Sequence, residues 1–151
     1  MPSLRVKVRR FPARDTEAMS QEAANVVRAV VEAQRRRDWQ AFRRLYAPDI
    51  EWEDVSGLWG DWGVRRGFEE VRDAWLTWFE AFEDVDFEIE ELLGDGNSVV
   101  AFIRVRGRGR ESGLVIEQRL PSVWTVRGGR VERVKGYRDD GDALRAAGLR
   151  G

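Results

Sequence analysis

Apolar residues recur at helical spacing in the first half of the chain. A stripe running from Ala23 to Gln34 has the three-to-four-residue period of an amphipathic helix. Asp38 then precedes a short aromatic-rich run and has the side chain of a helix N-cap. A third helix is predicted from Gly67, with acidic residues in its first turn and an aromatic inner face. The aromatic residues of that face are Trp75, Trp78, Phe79 and Phe82.

The period of the pattern changes to two from Val85 onward. Strands are predicted at 85–93, 99–106, 114–126 and 131–137, with glycine-rich turns between them. A short terminal helix is expected from Asp140 to Ala147. Helices followed by a meander of long strands indicate an α+β fold, with N-terminal helices packed on a curved, mostly antiparallel sheet.

The stretch LYAPDIEWEDVSGLWGDWGVRRG lies between these two halves. Its Ala-Pro pair predicts a turn, after which a strand begins at Ile50. Strand alternation places Ile50, Trp52 and Asp54 on one face, and the large apolar groups make that face the inner one. Trp59 and Trp62 follow in a loop rich in glycine. An inward carboxylate beneath an aromatic loop is a candidate functional site.

Polar residues also fall on the apolar side of the third long strand. Gln118 and Ser122 share that side with Trp124, so they are expected in the core or in a pocket. Pro121 predicts a bulge or a sheet edge at this point. Tyr137 ends the last strand, where it donates into the mouth of a cavity or covers it. The predicted pocket lining is Trp52, Trp59, Trp62, Trp75, Trp78, Phe79, Gln118, Ser122, Trp124 and Tyr137.

Composition excludes several kinds of chemistry. The chain has 151 residues, a formal net charge of −1, no cysteine and no histidine. Thiol nucleophiles, disulfides, imidazole bases and the commonest zinc sites are therefore absent, and no cofactor or metal is expected. The charge does not favour nucleic acid, and no apolar run is long enough to span a membrane. The expected location is cytoplasmic, and the expected partner is a small hydrophobic molecule.

The N-terminal segment differs from the rest of the chain. Residues 1–18 are basic and interrupted by proline, which is typical of a flexible arm. The alternative is a short strand added to the edge of a sheet or to a partner subunit. Residues 19–151 are then expected to form a single domain.

Three segments carry a resemblance to a known family. They are RRDWQAFRRLYAPDIEWED, SVWTVRGGRVERV and DALRAAGL, in this order along the chain. The ordered set resembles the SnoaL-like branch of the nuclear transport factor 2-like superfamily, which includes polyketide cyclases, ketosteroid isomerase and limonene epoxide hydrolase. The resemblance implies a cone-shaped α+β barrel. It does not imply one reaction, because this fold hosts many chemistries as well as non-catalytic modules.

The resemblance also suggests roles for individual residues. Asp54 stands where the similar isomerases keep a carboxylate base. Their oxyanion-binding tyrosine falls near Val30, which cannot donate a hydrogen bond, and their second acid falls near Ser122. Cyclases of the SnoaL type use an aspartate as acid and base, and both Asp54 and Asp139 are candidates for it.

Two functions are consistent with these patterns. In the first, Asp54 moves a proton on a hydrophobic, carbonyl-bearing ligand, as in a cyclase, isomerase or hydratase-like reaction. In the second, the chain is a ligand-binding or dimerisation module without chemistry, and Asp54 pairs with Arg65, Arg66 or Arg119. Burial predicts a raised pKa for Asp54, whereas an arginine partner predicts a lowered one.

A homodimer is expected from the second long strand. This strand is apolar on both faces near Val99–Ile103, and the helices are expected to cover only one of them. The other face needs cover, which packing against the sheet of a second copy provides.

Overall fold

The computed structural model describes residues 7–9, 21–58 and 62–149. Four helices and seven strands occur within these ranges. In chain order they are β1 (Lys7–Arg9), α1 (Gln21–Arg36), α2 (Trp39–Leu45), β2 (Tyr46–Asp54), β3 (Gly63–Arg66), α3 (Gly67–Ala81), β4 (Phe82–Asp95), β5 (Ser98–Gly109), β6 (Val115–Arg127), β7 (Arg130–Gly136) and α4 (Asp140–Ala146).

The strands form one curved sheet in the order β1-β4-β5-β6-β7-β2-β3. The meander from β4 to β7 is antiparallel, as is the β2–β3 pair, whereas β1 joins β4 and β2 joins β7 in parallel. Helix α1 packs against β4 to β7, and α3 packs against β2 to β4. The predicted α+β architecture, with helices on a mostly antiparallel sheet, is confirmed.

Helix α1 ends where the sequence predicts and leads directly into α2. The Asp38 side chain accepts a hydrogen bond from the Ala41 backbone N–H at 3.1 Å, so the predicted N-cap is confirmed. The apolar stripe of α1 is buried along its whole length and includes one polar residue, Gln34. This amide therefore lies in the interior of the protein.

Strand β2 begins earlier than predicted, at Tyr46, and the Ala-Pro pair lies inside it. The pairing with β7 shifts register between Tyr46 and Glu51, and this irregularity accommodates the proline. Ile50, Trp52 and Asp54 are all buried, which confirms the predicted inward phase.

Of the two alternatives predicted at Pro121, a bulge or a sheet edge, the bulge is absent. The register between β5 and β6 continues without a shift from Ser98 to Arg108. Pro121 lies opposite Tyr137, where the ladder between β6 and β7 ends. The Tyr137 N–H donates to the Pro121 carbonyl at 2.9 Å, and proline lacks the N–H that would donate in return. Proline is tolerated here because at most one terminal ladder bond is lost.

The beginning of β6 is more exposed than predicted. Leu114 begins the predicted strand 114–126 and has the inward phase of Trp124, but it precedes β6 and is 70% exposed. Gln118 is exposed as well, and the inner side of β6 is fully buried only from Leu120 onward. The tip of the β5–β6 hairpin therefore extends into solvent.

The outer face of β5 is covered within the same chain. Val100 and Phe102 form a second apolar cluster with Ala143 of α4 and with Leu149. The cover that the homodimer argument required for these two side chains is thus supplied by the C-terminal segment. Homodimerisation stays a prediction.

Little of the N-terminal arm lies within the described residues. Lys7–Arg9 form β1, and Lys7 is paired with Glu91 in the parallel ladder with β4. This pairing corresponds to the alternative prediction for the segment, a short strand added to the edge of the sheet. Among the helices described, none is long and apolar enough to cross a membrane.

Candidate functional site

A small cavity lies between the helices and the inner face of the sheet. Its volume is about 40 Å³, which is space for about three water molecules at roughly 10–15 Å³ each. Aromatic and aliphatic side chains form most of its wall, and the polar groups are few. The lining residues are Gln34, Trp52, Asp54, Trp75, Phe87, Ile103, Val105, Leu120, Pro121, Ser122, Trp124 and Gly136.

The carboxylate of Asp54 is held at the end of β2 by the loop that follows it. The side chain is 8% exposed. The Ser56 hydroxyl lies 2.8 Å and 3.0 Å from the two carboxylate oxygens and donates its single hydrogen to them. The Gly57 backbone N–H donates to Oδ2 at 3.3 Å. These donors orient Asp54 without neutralising its charge.

Burial dominates the acidity of Asp54. Desolvation raises its pKa above the ordinary value of 3.8, and the hydrogen bonds from Ser56 and Gly57 oppose this only in part. No ion pair reaches Asp54 from the residues that the structure describes. A carboxylate in this setting binds a proton more readily than one in water.

The arginines suggested as partners of Asp54 bind elsewhere. Arg65 donates to the Trp62 carbonyl at 2.9 Å. Arg66 pairs with Glu51, and Arg119 pairs with acidic residues on the outer face. A different guanidinium contacts this loop: Arg138 donates to the Ser56 carbonyl at 3.4 Å and supports the loop.

Glycine at position 136 makes room for the carboxylate. Gly136 lies beside Asp54 in the β2–β7 ladder and beside Ser122 in the β6–β7 ladder. A Cβ built at Gly136 would stand 2.6 Å from Oδ1 of Asp54, closer than side chains tolerate. Any larger residue here would displace the carboxylate, so the position of Asp54 depends on a residue far away in the sequence.

Gly57 has a different role in the same loop. Its φ of +83° lies in the left-handed region, where a side chain is strained. This conformation turns the chain directly after the Gly57 N–H that donates to the carboxylate. The loop geometry therefore depends on glycine at this position.

Ser122 lies in the cavity wall, but its hydroxyl is engaged. It accepts a hydrogen bond from the Trp124 indole N–H at 2.8 Å and donates to the Ala101 carbonyl at 3.4 Å. Because a hydroxyl has only one hydrogen, Ser122 has no free donor for a ligand. Val30, the other position implied by the family resemblance, is apolar and fully buried.

The structure brings part of the predicted pocket lining together. Trp52, Asp54, Trp75, Ser122 and Trp124 all line the cavity. The tryptophan rings pack edge to face, with centroids 5.6 Å apart for Trp52 and Trp75 and 5.4 Å apart for Trp52 and Trp124. The rings fill most of the interior, which explains why the cavity is small.

Three other predicted lining residues are buried but lie outside the cavity wall. Trp62 packs on Trp75 with ring centroids 5.1 Å apart, and its indole N–H donates to the Trp52 carbonyl. Trp78 and Phe79 lie on α3 and pack against each other. Trp62 and Trp78 instead line a wider groove of about 370 Å³ along α3. That groove contains no buried carboxylate, since Asp73 is exposed.

The remaining predicted residues are not brought to the cavity. Gln118 is exposed, and Tyr137 packs on the outer-face cluster beneath α4. Asp139 is exposed and caps α4 by accepting from the Asp142 N–H at 3.0 Å. Trp59 lies outside the described residues.

Four residues of the site were missed by sequence reasoning. Ser56 and Gly57 could have been noticed as a short hydroxyl-glycine turn directly after the candidate carboxylate. Gly136 carried the signal of a glycine within a strand, which often marks close approach of another group. Gln34 was visible as the single polar member of the buried α1 stripe. In the described ranges, no group of three or more acidic side chains is arranged to hold a metal ion.

Comparison with known proteins agrees with this architecture. The profile of the SnoaL-like domain family matches residues 27–134, which is most of the chain. The chain therefore belongs to the SnoaL-like domain family. No curated protein sequence matches it significantly.

Solved structures with the same fold come from several bacteria. An NTF2-like protein from Burkholderia xenovorans is 25% identical, with a TM-score of 0.67, covering 85% of this chain and 98% of its own. IdmH from Streptomyces antibioticus, a proposed polyketide cyclase, is 21% identical, with a TM-score of 0.69 and coverages of 86% and 100%. An epoxide hydrolase from Mycobacterium tuberculosis, of the LEH-like type, is 18% identical, with a TM-score of 0.66 and coverages of 85% and 86%.

Proposed function

We propose that this protein catalyses cofactor-independent proton transfer on a hydrophobic carbonyl compound, with Asp54 as the general base. The observation that supports this most directly is the buried Asp54 carboxylate, which faces an apolar cavity and has no ion pair in the described chain. Its raised pKa brings the group closer to neutral pH, where a carboxylate base is more effective.

The chemical step follows from the groups in the cavity. Asp54 takes a proton from the carbon next to the ligand carbonyl. The C–H electron pair forms a carbon–carbon double bond, and the carbonyl π pair moves to oxygen as an enolate. Return of the proton to the same or another carbon gives exchange or isomerisation, and attack of the enolate on a second carbonyl gives cyclisation. These outcomes are the cyclase- and isomerase-like reactions expected of the family.

The cavity size limits what enters it. A volume of about 40 Å³ is far below the roughly 300–1,000 Å³ of typical small-molecule sites. We therefore propose that only the carbonyl end of a flat hydrophobic ligand occupies the cavity beside Asp54. The rest of a polycyclic ligand would require the aromatic wall to open.

Deuterium exchange tests this proposal directly. Wild-type protein incubated in D₂O with cyclopentanone or with the flat bicyclic ketone 1-indanone should accelerate deuteration next to the carbonyl, measured by proton NMR. Asp54→Asn should reduce the accelerated rate at least ~100-fold, the lower range for a general base. Asp49→Asn is the matched control, because Asp49 lies on the same strand and is exposed.

The outcomes separate the competing assignments. Loss of exchange in Asp54→Asn, with retention in Asp49→Asn, supports the proposal. Loss of exchange in Asp139→Asn, with retention in Asp54→Asn, would assign the role of general base to Asp139. The Asp139→Asn variant should stay folded, because asparagine is also a good N-cap. Absence of exchange for both ketones in the wild type would overturn the proposal.

A binding module without chemistry is the second candidate. The dense tryptophan packing and the small cavity favour it, since both are typical of an ordinary core. Saturable quenching of tryptophan fluorescence by 1-indanone without exchange would support this function. Sedimentation would then decide whether the module also dimerises.

A further inference from the structure

Gln34 presents an unpaired amide to the cavity. The residue is only 5% exposed, yet none of the hydrogen bonds found in the described chain involves its side chain. Its backbone carbonyl accepts a hydrogen bond from the Arg37 N–H at 3.2 Å. Polar side chains that are largely buried are usually hydrogen-bonded, so the position of this amide in the α1 stripe calls for an explanation.

The position of Gln34 relative to Asp54 suggests that explanation. Gln34 reaches the cavity from the helical layer, whereas Asp54 reaches it from the sheet. An amide N–H₂ is a donor, and a carboxylate is an acceptor. The cavity thus combines one group that can hold an oxygen with one that can take a proton, and apolar side chains form most of the remaining wall.

We propose that the Gln34 amide holds the carbonyl oxygen of the ligand while Asp54 takes a proton from the adjacent carbon. This inference rests on the proposed function and names the group that binds the oxygen. It selects ligands whose carbonyl is terminal or unhindered, since both the oxygen and the adjacent carbon must fit into the cavity. Ser122 cannot replace Gln34, because its hydrogen is directed to the Ala101 carbonyl.

The amide has its largest effect when negative charge develops. As Asp54 removes the proton, the ligand oxygen changes from a carbonyl to an enolate, and the hydrogen bond from Gln34 strengthens. Loss of one such donor typically lowers kcat by about 100- to 1,000-fold. The contribution is therefore expected in kcat more than in KM.

The test uses cyclopentanone labelled with ¹³C at the carbonyl. Gln34→Met removes the donor at similar volume, and exposed Gln40→Met is the control. Gln34→Met should lower the exchange kcat ~100-fold, with KM changed less than about tenfold. In Gln34→Met, the carbonyl ¹³C shift of the bound ketone, extrapolated from a titration, should move to the lower value typical of apolar solvents. Thermal unfolding confirms that each variant is folded.

The ¹³C shift distinguishes this inference from the proposed function. Asp54→Asn should bind the ketone with the wild-type carbonyl shift but without exchange. If wild type and Gln34→Met give the same carbonyl shift and the same kcat, the role of Gln34 is refuted while Asp54 remains the base. If the wild type neither binds nor exchanges the ketone, both proposals are refuted.

Discussion

Two buried carboxylates lie on opposite faces of the same sheet, and their surroundings differ. Asp54 on the inner face is 8% exposed and accepts hydrogen bonds from the Ser56 hydroxyl and the Gly57 N–H. Glu91 on β4 is 6% exposed, and Arg119 lies 3.7 Å from it. Among the residues that the structure describes, the buried charge is thus compensated by an arginine at one site and by neutral donors at the other.

The outer carboxylate belongs to a network that fixes the C-terminal segment. Arg119 also contacts Glu90 at 3.3 Å and Asp140 of α4 at 3.2 Å, and it stacks over Phe102 at 4.5 Å. Such a network ties α4 to the sheet. Asp54 holds the loop of Ser56 and Gly57 through hydrogen bonds from neutral donors, and proton transfer at this carboxylate is the role proposed above.

The largest effect on stability is expected from filling the space beside Asp54. Gly136→Ala would place a methyl group 2.6 Å from Oδ1. Displacement of the carboxylate should lower ketone exchange ~10- to 100-fold and cost about 1–3 kcal/mol of stability. Exchange rates and urea unfolding measure both quantities.

Gly107→Ala is the matched control for this variant. Gly107 is a buried glycine in β5, and its Cβ would meet neighbours no closer than 3.6 Å, an ordinary contact. Its effect on stability should stay within about 1 kcal/mol. Equal effects of the two alanine variants would show that Gly136 has no special relation to Asp54.

Neutralising the two carboxylates should change stability in opposite directions. Glu91→Gln should destabilise the protein by about 1 kcal/mol, less than for a fully buried pair because Arg119 is partly exposed and keeps two other partners. Asp54→Asn should match or exceed wild-type stability at pH 7, because a buried charge is removed. Urea unfolding of both variants under one set of conditions measures the contrast, and destabilisation by Asp54→Asn would contradict it.

The smallest effect is expected in the pH dependence of stability. Since the folded pKa of Asp54 is raised above 3.8, the folded state binds this proton more tightly than the unfolded state does. The resulting stability is fully present below pH 3.8 and is lost as pH rises through the raised pKa. Wild type should therefore lose stability relative to Asp54→Asn over this window.

Parallel urea titrations of the two proteins between pH 4 and 8 measure this difference. The advantage of Asp54→Asn should grow with pH and then become constant. A difference that changes with pH in the opposite sense would mean that a partner stabilises the ionised form of Asp54.

Much of the fold could be predicted from local patterns. The stripe from Ala23 to Gln34 identified α1, and alternation placed Trp52 and Asp54 on the inner face. Predictions failed where burial depends on distant elements. Leu114 has the inward phase but is exposed at a hairpin tip, and Tyr137 packs under α4 instead of at the cavity.

The sequence by itself determined the types of most elements, the inward phase of Asp54 and the family, because periodicity and ordered motifs are properties of neighbouring residues. Only the tertiary structure decided that Gly136 leaves room for Asp54 and that Gln34 lies in the same cavity. It also decided that Arg119 binds acidic residues on the outer face and not Asp54. These relations join residues far apart in the chain. They depend on strand register and helix packing, which a local pattern of apolar and polar positions does not specify.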